Sequence, residues 1–137
     1  MKVYVASKFE RKPEVRDLMH AIRRVGHTVV GDWTTHTVEG EPPENMLAML
    51  RAFAKEDRDA VEACDVFALI HDDNCRGGFV ELGIALDYRR WPKEPREVCV
   101  IGGKGKAPVL GPIFYALPEV RHFDTAGDFI NWLGRQP

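Results

Sequence analysis

Cysteine is scarce and poorly placed for bridging. Cys64, Cys75 and Cys99 are the only three in 137 residues, an odd number without a Cys-x-x-Cys pair. This argues against a disulfide scaffold and a structural zinc site, and predicts a reducing compartment, the cytoplasm. Cys64 and Cys99 stand among apolar neighbours and read as small buried hydrophobes. An excess of one charge is also lacking: 19 Lys and Arg meet 21 Asp and Glu, for a formal net charge of −2. With no basic stripe, a nucleic acid polymer held by phosphate neutralisation is not an expected partner. The longest apolar runs, such as Val66-Phe67-Ala68-Leu69-Ile70, fall far short of the ~20 residues that cross a bilayer, so no membrane partner is expected. Met1-Lys2-Val3-Tyr4-Val5-Ala6 is strand-like rather than the core of a signal peptide. No G-x-G-x-x-G follows the first strand and no G-x-x-x-x-G-K-[ST] occurs, so no cofactor is expected. His71, Asp72 and Asp73 are adjacent in sequence and ill suited to converge on one metal ion.

What is present is a strand–helix alternation fit for one compact domain spanning 1–137. Val3–Ala6 opens as a strand. Pro13 then starts a helix whose Val15, Leu18, Met19, Ile22 and Val25 recur at helical spacing, and Gly26 ends it. His27–Gly31 reads as a second strand, 45 to about 63 as a helix, and Asp65–His71 as a third strand. Gly77-Gly78 opens a helix reaching about Arg90, closed by Trp91-Pro92. Val98–Ile101 is the fourth strand and Val120–Phe123 a weak fifth, before a last helix that starts after Asp124-Thr125. Strands three and four lack polar alternation, as in a parallel sheet covered on both faces. The expected architecture is an α/β three-layer sandwich, flavodoxin-like, with strand order 2-1-3-4-5. Ligands would bind outside the strands' carboxyl ends, where Ser7–Arg11 and Asp72–Gly78 lie.

Two carboxylates stand out. Met46, Leu50, Phe53, Val61 and Cys64 form an apolar stripe on the middle helix, and Asp57 occupies a stripe position four residues from both Phe53 and Val61. An inward carboxylate is costly unless it is hydrogen-bonded or lines a cavity. The same spacing also fits a helix edge on which Asp57 pairs with Arg58 or Arg11. Glu81 lies early in the helix opened by Gly77-Gly78, where the helix dipole favours an anion and the glycines allow a ligand close to the backbone. A carboxylate there can act as a nucleophile on a sugar carbon; it can equally be an ordinary dipole-favoured glutamate. The Trp33–His36 segment follows a strand end and can offer aromatic contacts to a ring, or be plain surface loop. His20 reads as a half-exposed structural histidine.

Three segments together resemble the nucleoside 2-deoxyribosyltransferase superfamily, which includes deoxynucleoside monophosphate N-glycohydrolases. They are Val3-Tyr4-Val5-Ala6-Ser7, Asp57 eight residues before Asp65, and Gly77-Gly78-Phe79-Val80-Glu81-Leu82-Gly83-Ile84-Ala85. The resemblance implies cleavage or transfer at the N-glycosidic bond of a 2'-deoxynucleoside or its 5'-monophosphate. Glu81 would be the nucleophile forming a deoxyribosyl ester, Tyr4 would hold Glu81, and Asp57 would hold the sugar. Ser7, Lys8, Phe9, Arg11, Trp33, Asp72, Asp73, Gly77 and Gly78 are the candidate substrate contacts. Ser7, Lys8 and Arg11 would face a phosphate, against the opposing charge of Glu10. Classical members carry an aspartate six residues before the glutamate; this chain has Cys75 there, and Asp72 or Asp73 is the candidate replacement. The resemblance also implies a homodimer whose second subunit completes the site, with Trp91, Phe114 and Tyr115 as candidate contacts. Two other functions fit the same pattern: a non-catalytic nucleotide-binding or sensing module, and a Toll/interleukin-1-receptor-like NAD glycohydrolase.

Overall fold

The computed structural model describes residues 1–88, 97–104 and 111–137. Five strands, β1 (Lys2–Ala6), β2 (Thr28–Val29), β3 (Val66–Ile70), β4 (Glu97–Ile101) and β5 (Val120–Phe123), form an all-parallel sheet of order β2-β1-β3-β4-β5. This is the expected topology. The helices are α1 (Lys12–Arg24), α2 (Pro43–Ala63), α3 (Arg76–Tyr88) and α4 (Ala126–Leu133). Helices α1 and α4 pack together on one face of the sheet, and α2 and α3 on the other. Strand β3 is buried along its whole length and β4 along all but Glu97, which is why both read as unbroken apolar runs.

Local chemistry sets the element ends. Gly26, at φ +91°, turns the chain out of α1. Thr125 caps α4, accepting from the Asp128 N–H at 3.1 Å while the Asp128 carboxylate accepts from the Thr125 N–H at 3.1 Å. The three thiols are buried and none is in a disulfide. Trp91-Pro92 and most of the loop after Gly102 lie outside the described residues, as does the carboxyl end assigned to the third helix.

Two expectations need correcting. Strand β2 is two residues long rather than His27–Gly31. His27 is instead bound at both ring nitrogens, to the amino terminus at 3.1 Å and to the Leu133 carbonyl at 3.0 Å. After Val30 donates to Val3 O, Gly31 turns away at φ +66°; a Cβ there would lie 2.7 Å from Ala60 Cβ and 3.0 Å from the Tyr4 ring. The second correction concerns α2, whose apolar stripe is not a core stripe. Only Val61 of the helix is buried, while Leu50 is 52% exposed and Met46 and Phe53 are half-buried. A 21-residue helix runs about 32 Å, whereas a five-residue strand spans about 17 Å. The amino half of α2 therefore overhangs the sheet, beside the strands' carboxyl ends.

Candidate active site

Strand β1 carries Tyr4 in its centre, fully buried and stacked on its register partner Phe67 of β3, with ring centroids 6.1 Å apart. Helix α3 leaves the end of β3 and folds back over the same face. This brings Glu81 to the tip of the phenol, where the Tyr4 hydroxyl donates to Glu81 Oε1 at 2.8 Å. The close approach of α3 depends on Gly78, where a Cβ would sit 2.5 Å from Cys75 Sγ and 2.8 Å from Leu69 Cδ1. At Gly77, one turn before Glu81, a Cβ would meet nothing within 4 Å, which leaves open space beside the carboxylate.

Asp57 approaches from α2, and Tyr4 thus stands between two carboxylates. Burial pushes the Glu81 carboxyl up to about 7, partly offset by the Tyr4 hydrogen bond and reinforced by the charge of Asp57. Asp57 is also raised, mainly by burial and further by Glu56, while His36 and the Tyr4 hydroxyl oppose the rise. The Tyr4 phenol is raised by its burial and by both carboxylates, so it stays protonated as a donor.

Glu81, Asp57, Ser7, Gly77 and Gly78 line a cavity of about 250 Å³, walled by the rings of Phe9, Trp33, His36 and Phe53. Trp33 is anchored by its indole N–H, which donates to the Val5 carbonyl at 2.7 Å. Its ring lies 6.4 Å from that of Phe9. On the opposite side His36 stacks on Phe53, centroids 4.1 Å apart and 9° from parallel. The His36 ring is held edge-on by Glu56 (Nε2 to Oε2, 3.0 Å) and faces Asp57 (Nδ1 to Oδ2, 3.8 Å). Phe53 is the site residue the sequence did not identify: it had a signal, one turn before Asp57, but was read as core. His36 lies in the Trp33–His36 segment that was expected to offer aromatic contacts or be plain surface loop.

Other candidates are placed elsewhere. Lys8, Arg11, Asp72 and Asp73 line a separate cleft of about 1000 Å³ between α1 and α4. Residues Phe9–Arg11 form a 3₁₀ turn that directs Arg11 away from the smaller cavity. Arg11 Nε donates to Asp72 at 2.9 Å and Nη1 to Glu14 at 2.8 Å, with Lys8 Nζ 3.9 Å from Asp72. The Asn74 N–H and Arg11 hold the Asp72 carboxyl below its usual range. Asp73 meets His71 Nε2 at 3.1 Å, and His71 Nδ1 meets the Tyr115 hydroxyl at 2.9 Å. Neither Asp72 nor Asp73 lines the smaller cavity. Nor does Asp57 pair with Arg11 or with Arg58, which lies beside Asp59 and Glu62. Ser7 reaches the cavity, but its hydroxyl donates to Ile70 O at 3.0 Å. Cys75 is buried, and burial together with Glu81 and Asp72 pushes its thiol up to about 12. Tyr115 is buried rather than a surface contact, Phe114 is exposed, and His20 is exposed on α1. Among the described residues no group of three or more His, Cys, Asp or Glu is arranged to hold a metal ion, and no helix is long and apolar enough to cross a membrane.

Neither a family model nor a curated protein matches the sequence. Solved structures do match the fold. A 2-deoxyribosyltransferase from the psychrotolerant bacterium Bacillus psychrosaccharolyticus superposes with a TM-score of 0.65 at 19% identity, over 96% of this chain and 91% of that one. A CMP N-glycosidase from Clostridium botulinum superposes with a TM-score of 0.51 at 14% identity, over 97% of this chain and 98% of that one. Over nearly its whole length, this chain shares the fold of a 2-deoxyribosyltransferase and an N-glycosidase.

Proposed function

We propose that the chain cleaves or transfers at the N-glycosidic bond of a 2'-deoxynucleoside or its 5'-monophosphate, with Glu81 as the nucleophile. The observation that carries this reading is the half-buried Glu81 carboxylate, tethered to Tyr4 at 2.8 Å beside Asp57 and facing a small aromatic-walled cavity. One Glu81 oxygen accepts a hydrogen bond from the Tyr4 phenol, and the other is available to the anomeric carbon. As the carbon–oxygen bond forms, the carbon–nitrogen bond breaks and its electron pair leaves with the base, which takes up a proton. Water or a second base then displaces the sugar from the ester and restores the carboxylate. Asp57 accepts from a sugar hydroxyl and fixes the anomeric carbon in line. The fold neighbours support glycosidic chemistry, since their names describe deoxyribosyl transfer and N-glycoside cleavage.

The test is free-base release from a panel of deoxynucleosides, their monophosphates and NAD. Glu81→Ala should abolish release, and the wild-type protein mixed with substrate should show a deoxyribosyl adduct in intact-mass spectra. Full activity in Glu81→Ala removes the nucleophile assignment. Binding without release by the wild type favours the non-catalytic module, a reading supported by the neutral Cys75 in place of an aspartate. Release of nicotinamide alone favours the NAD glycohydrolase.

The working unit in this reading is a cytoplasmic homodimer. Its support is the apolar surface on the two helices that carry Asp57 and Glu81: Leu47, Leu50 and Val80 are each more than half exposed. A monomer in sedimentation at high micromolar concentration would overturn it.

A further inference from the structure

We infer that helix α1 fixes the aromatic walls of this cavity, with Lys12 as a positioning residue for the flat base of the substrate; the inference rests on the glycosidic reading above and deepens it. Lys12 does not line the cavity, yet it touches two residues that do. Its ammonium lies 3.7 Å from the centroid of the Phe9 ring and donates to the His36 carbonyl at 3.2 Å. Phe9 is the wall beside Trp33, and His36 is the wall stacked on Phe53, so one cation spans both.

Arg16 stands one turn further on, on the same face of α1. Its Nε donates to the Thr34 hydroxyl at 3.1 Å and its Nη2 to the Thr34 carbonyl at 2.9 Å. Thr34 is buried between Trp33 and His36 in sequence, so α1 grips the wall segment at two points, across 18 and 24 residues of chain.

These contacts differ from those of an ordinary surface cation. Among the described residues no ion pair holds either Lys12 or Arg16. Ordering a long cationic side chain costs rotamer freedom, which a carbonyl and a ring face must here offset. The walls need the help. Phe9 is 58% exposed in a three-residue 3₁₀ turn, so packing alone does not hold its ring. Without Lys12 the Phe9 ring and the His36 backbone would each lose a tether, and the entering base would have to order them. Affinity then falls by the fraction of time the walls are in place. Tyr4, Glu81 and Asp57 are carried by β1, α3 and α2, so the reaction of bound substrate would not change.

The experiment measures Kd by calorimetry, and KM and kcat by base release, for each of the four common 2'-deoxynucleosides and its 5'-monophosphate. Lys12→Met keeps the length of the stem and removes the charge and the donors. It should raise Kd and KM about tenfold and leave kcat within about threefold, the scale of one cation–ring contact and one charged hydrogen bond. Lys12→Gln is a second uncharged variant and should behave alike, while Lys12→Arg should restore both constants to within about threefold of wild type. In a Phe9→Leu background the cost of Lys12→Met should shrink to about threefold, because the ring contact is already gone. A general loss of folded protein would lower apparent kcat and leave KM alone, and that pattern overturns the inference. Base release by the wild type, with Kd and KM of Lys12→Met within about twofold, overturns it too and leaves the glycosidic reading standing. A nucleoside bound without base release, with the loss of affinity in Lys12→Met, upholds the grip and overturns the enzymatic reading. Failure of the wild type to bind any of the eight ligands overturns both.

Discussion

Replacing Glu81 by glutamine should make the protein more stable, and only where the carboxyl would be ionised. Burial is the main reason that its carboxyl moves from an ordinary value of 4.5 to about 7. Between those values the native state binds more protons than the unfolded chain, so stability falls as pH rises; above about 7 the loss is constant. At ~1.4 kcal/mol per pH unit, the full penalty is about 3 kcal/mol. Glutamine carries no charge and keeps an amide oxygen to accept from Tyr4, so the variant escapes this penalty without losing the 2.8 Å contact. Urea unfolding of both proteins should therefore show a gap below about 1 kcal/mol at pH 5 that widens to about 3 kcal/mol at pH 8. The wild-type rate should move the other way, rising with pH through about 7 as the nucleophile ionises. A stability gap that stays flat from pH 5 to 8 would refute the reasoning, because it would mean that Glu81 does not carry a buried charge.

Further outcomes follow from the same geometry. Asp57→Asn should lower kcat/KM by about 100-fold, the scale of a misplaced sugar, with little change in melting temperature; a rate within threefold of wild type would remove Asp57 from substrate positioning. Tyr4→Phe should slow base release less than Glu81→Ala does and raise the apparent pKa of the pH–rate profile, since the Tyr4 hydrogen bond opposes the rise at Glu81. Gly77→Leu places an isobutyl group in open space beside the cavity, so it should raise KM at least about tenfold while urea unfolding shows stability unchanged or up by about 0.5 kcal/mol. Nucleoside affinity equal to wild type would show that ligand does not lie against α3.

The sheet was legible because its signals are strong and local. Two all-apolar strands, a proline at the start of α1, Gly26 after it and Thr125 before α4 each fix an element with little help from the rest of the chain. Asp57 was legible from its place in the helical stripe and Glu81 from the glycine-opened start of its helix, while Tyr4 came forward only through the resemblance to a family. What could not be read depends on contacts distant in sequence. The length of β2 is set by the Tyr4 ring and Ala60, which only the tertiary fold brings beside Gly31. The direction of Lys8 and Arg11 follows from a single 3₁₀ turn and the pull of Asp72, 61 residues after Arg11. The Trp33–His36 segment was legible as a source of aromatic contacts, but the partners of His36 were not: its backbone oxygen is held by Lys12 Nζ at 3.2 Å and its ring by Phe53.

Packing alone does not account for the trio at the centre of the molecule. A phenylalanine in place of Tyr4 and a leucine in place of Glu81 would fill the space with no charge to bury and no hydroxyl to satisfy, and buried polar groups often cost more than such replacements. The chain instead sets a carboxylate in that position with one oxygen tied to a phenol. It places a second carboxylate on the same cavity and leaves a glycine where a side chain would close the space. Each of these choices lowers stability or leaves a void, and each gives something that attack on a carbon needs. In the proposed reaction burial would strip water from Glu81, the phenol would fix its direction, and the glycine would leave room for the sugar. Packing asks for none of these three features; the proposed glycosyl ester at Glu81 would use them all.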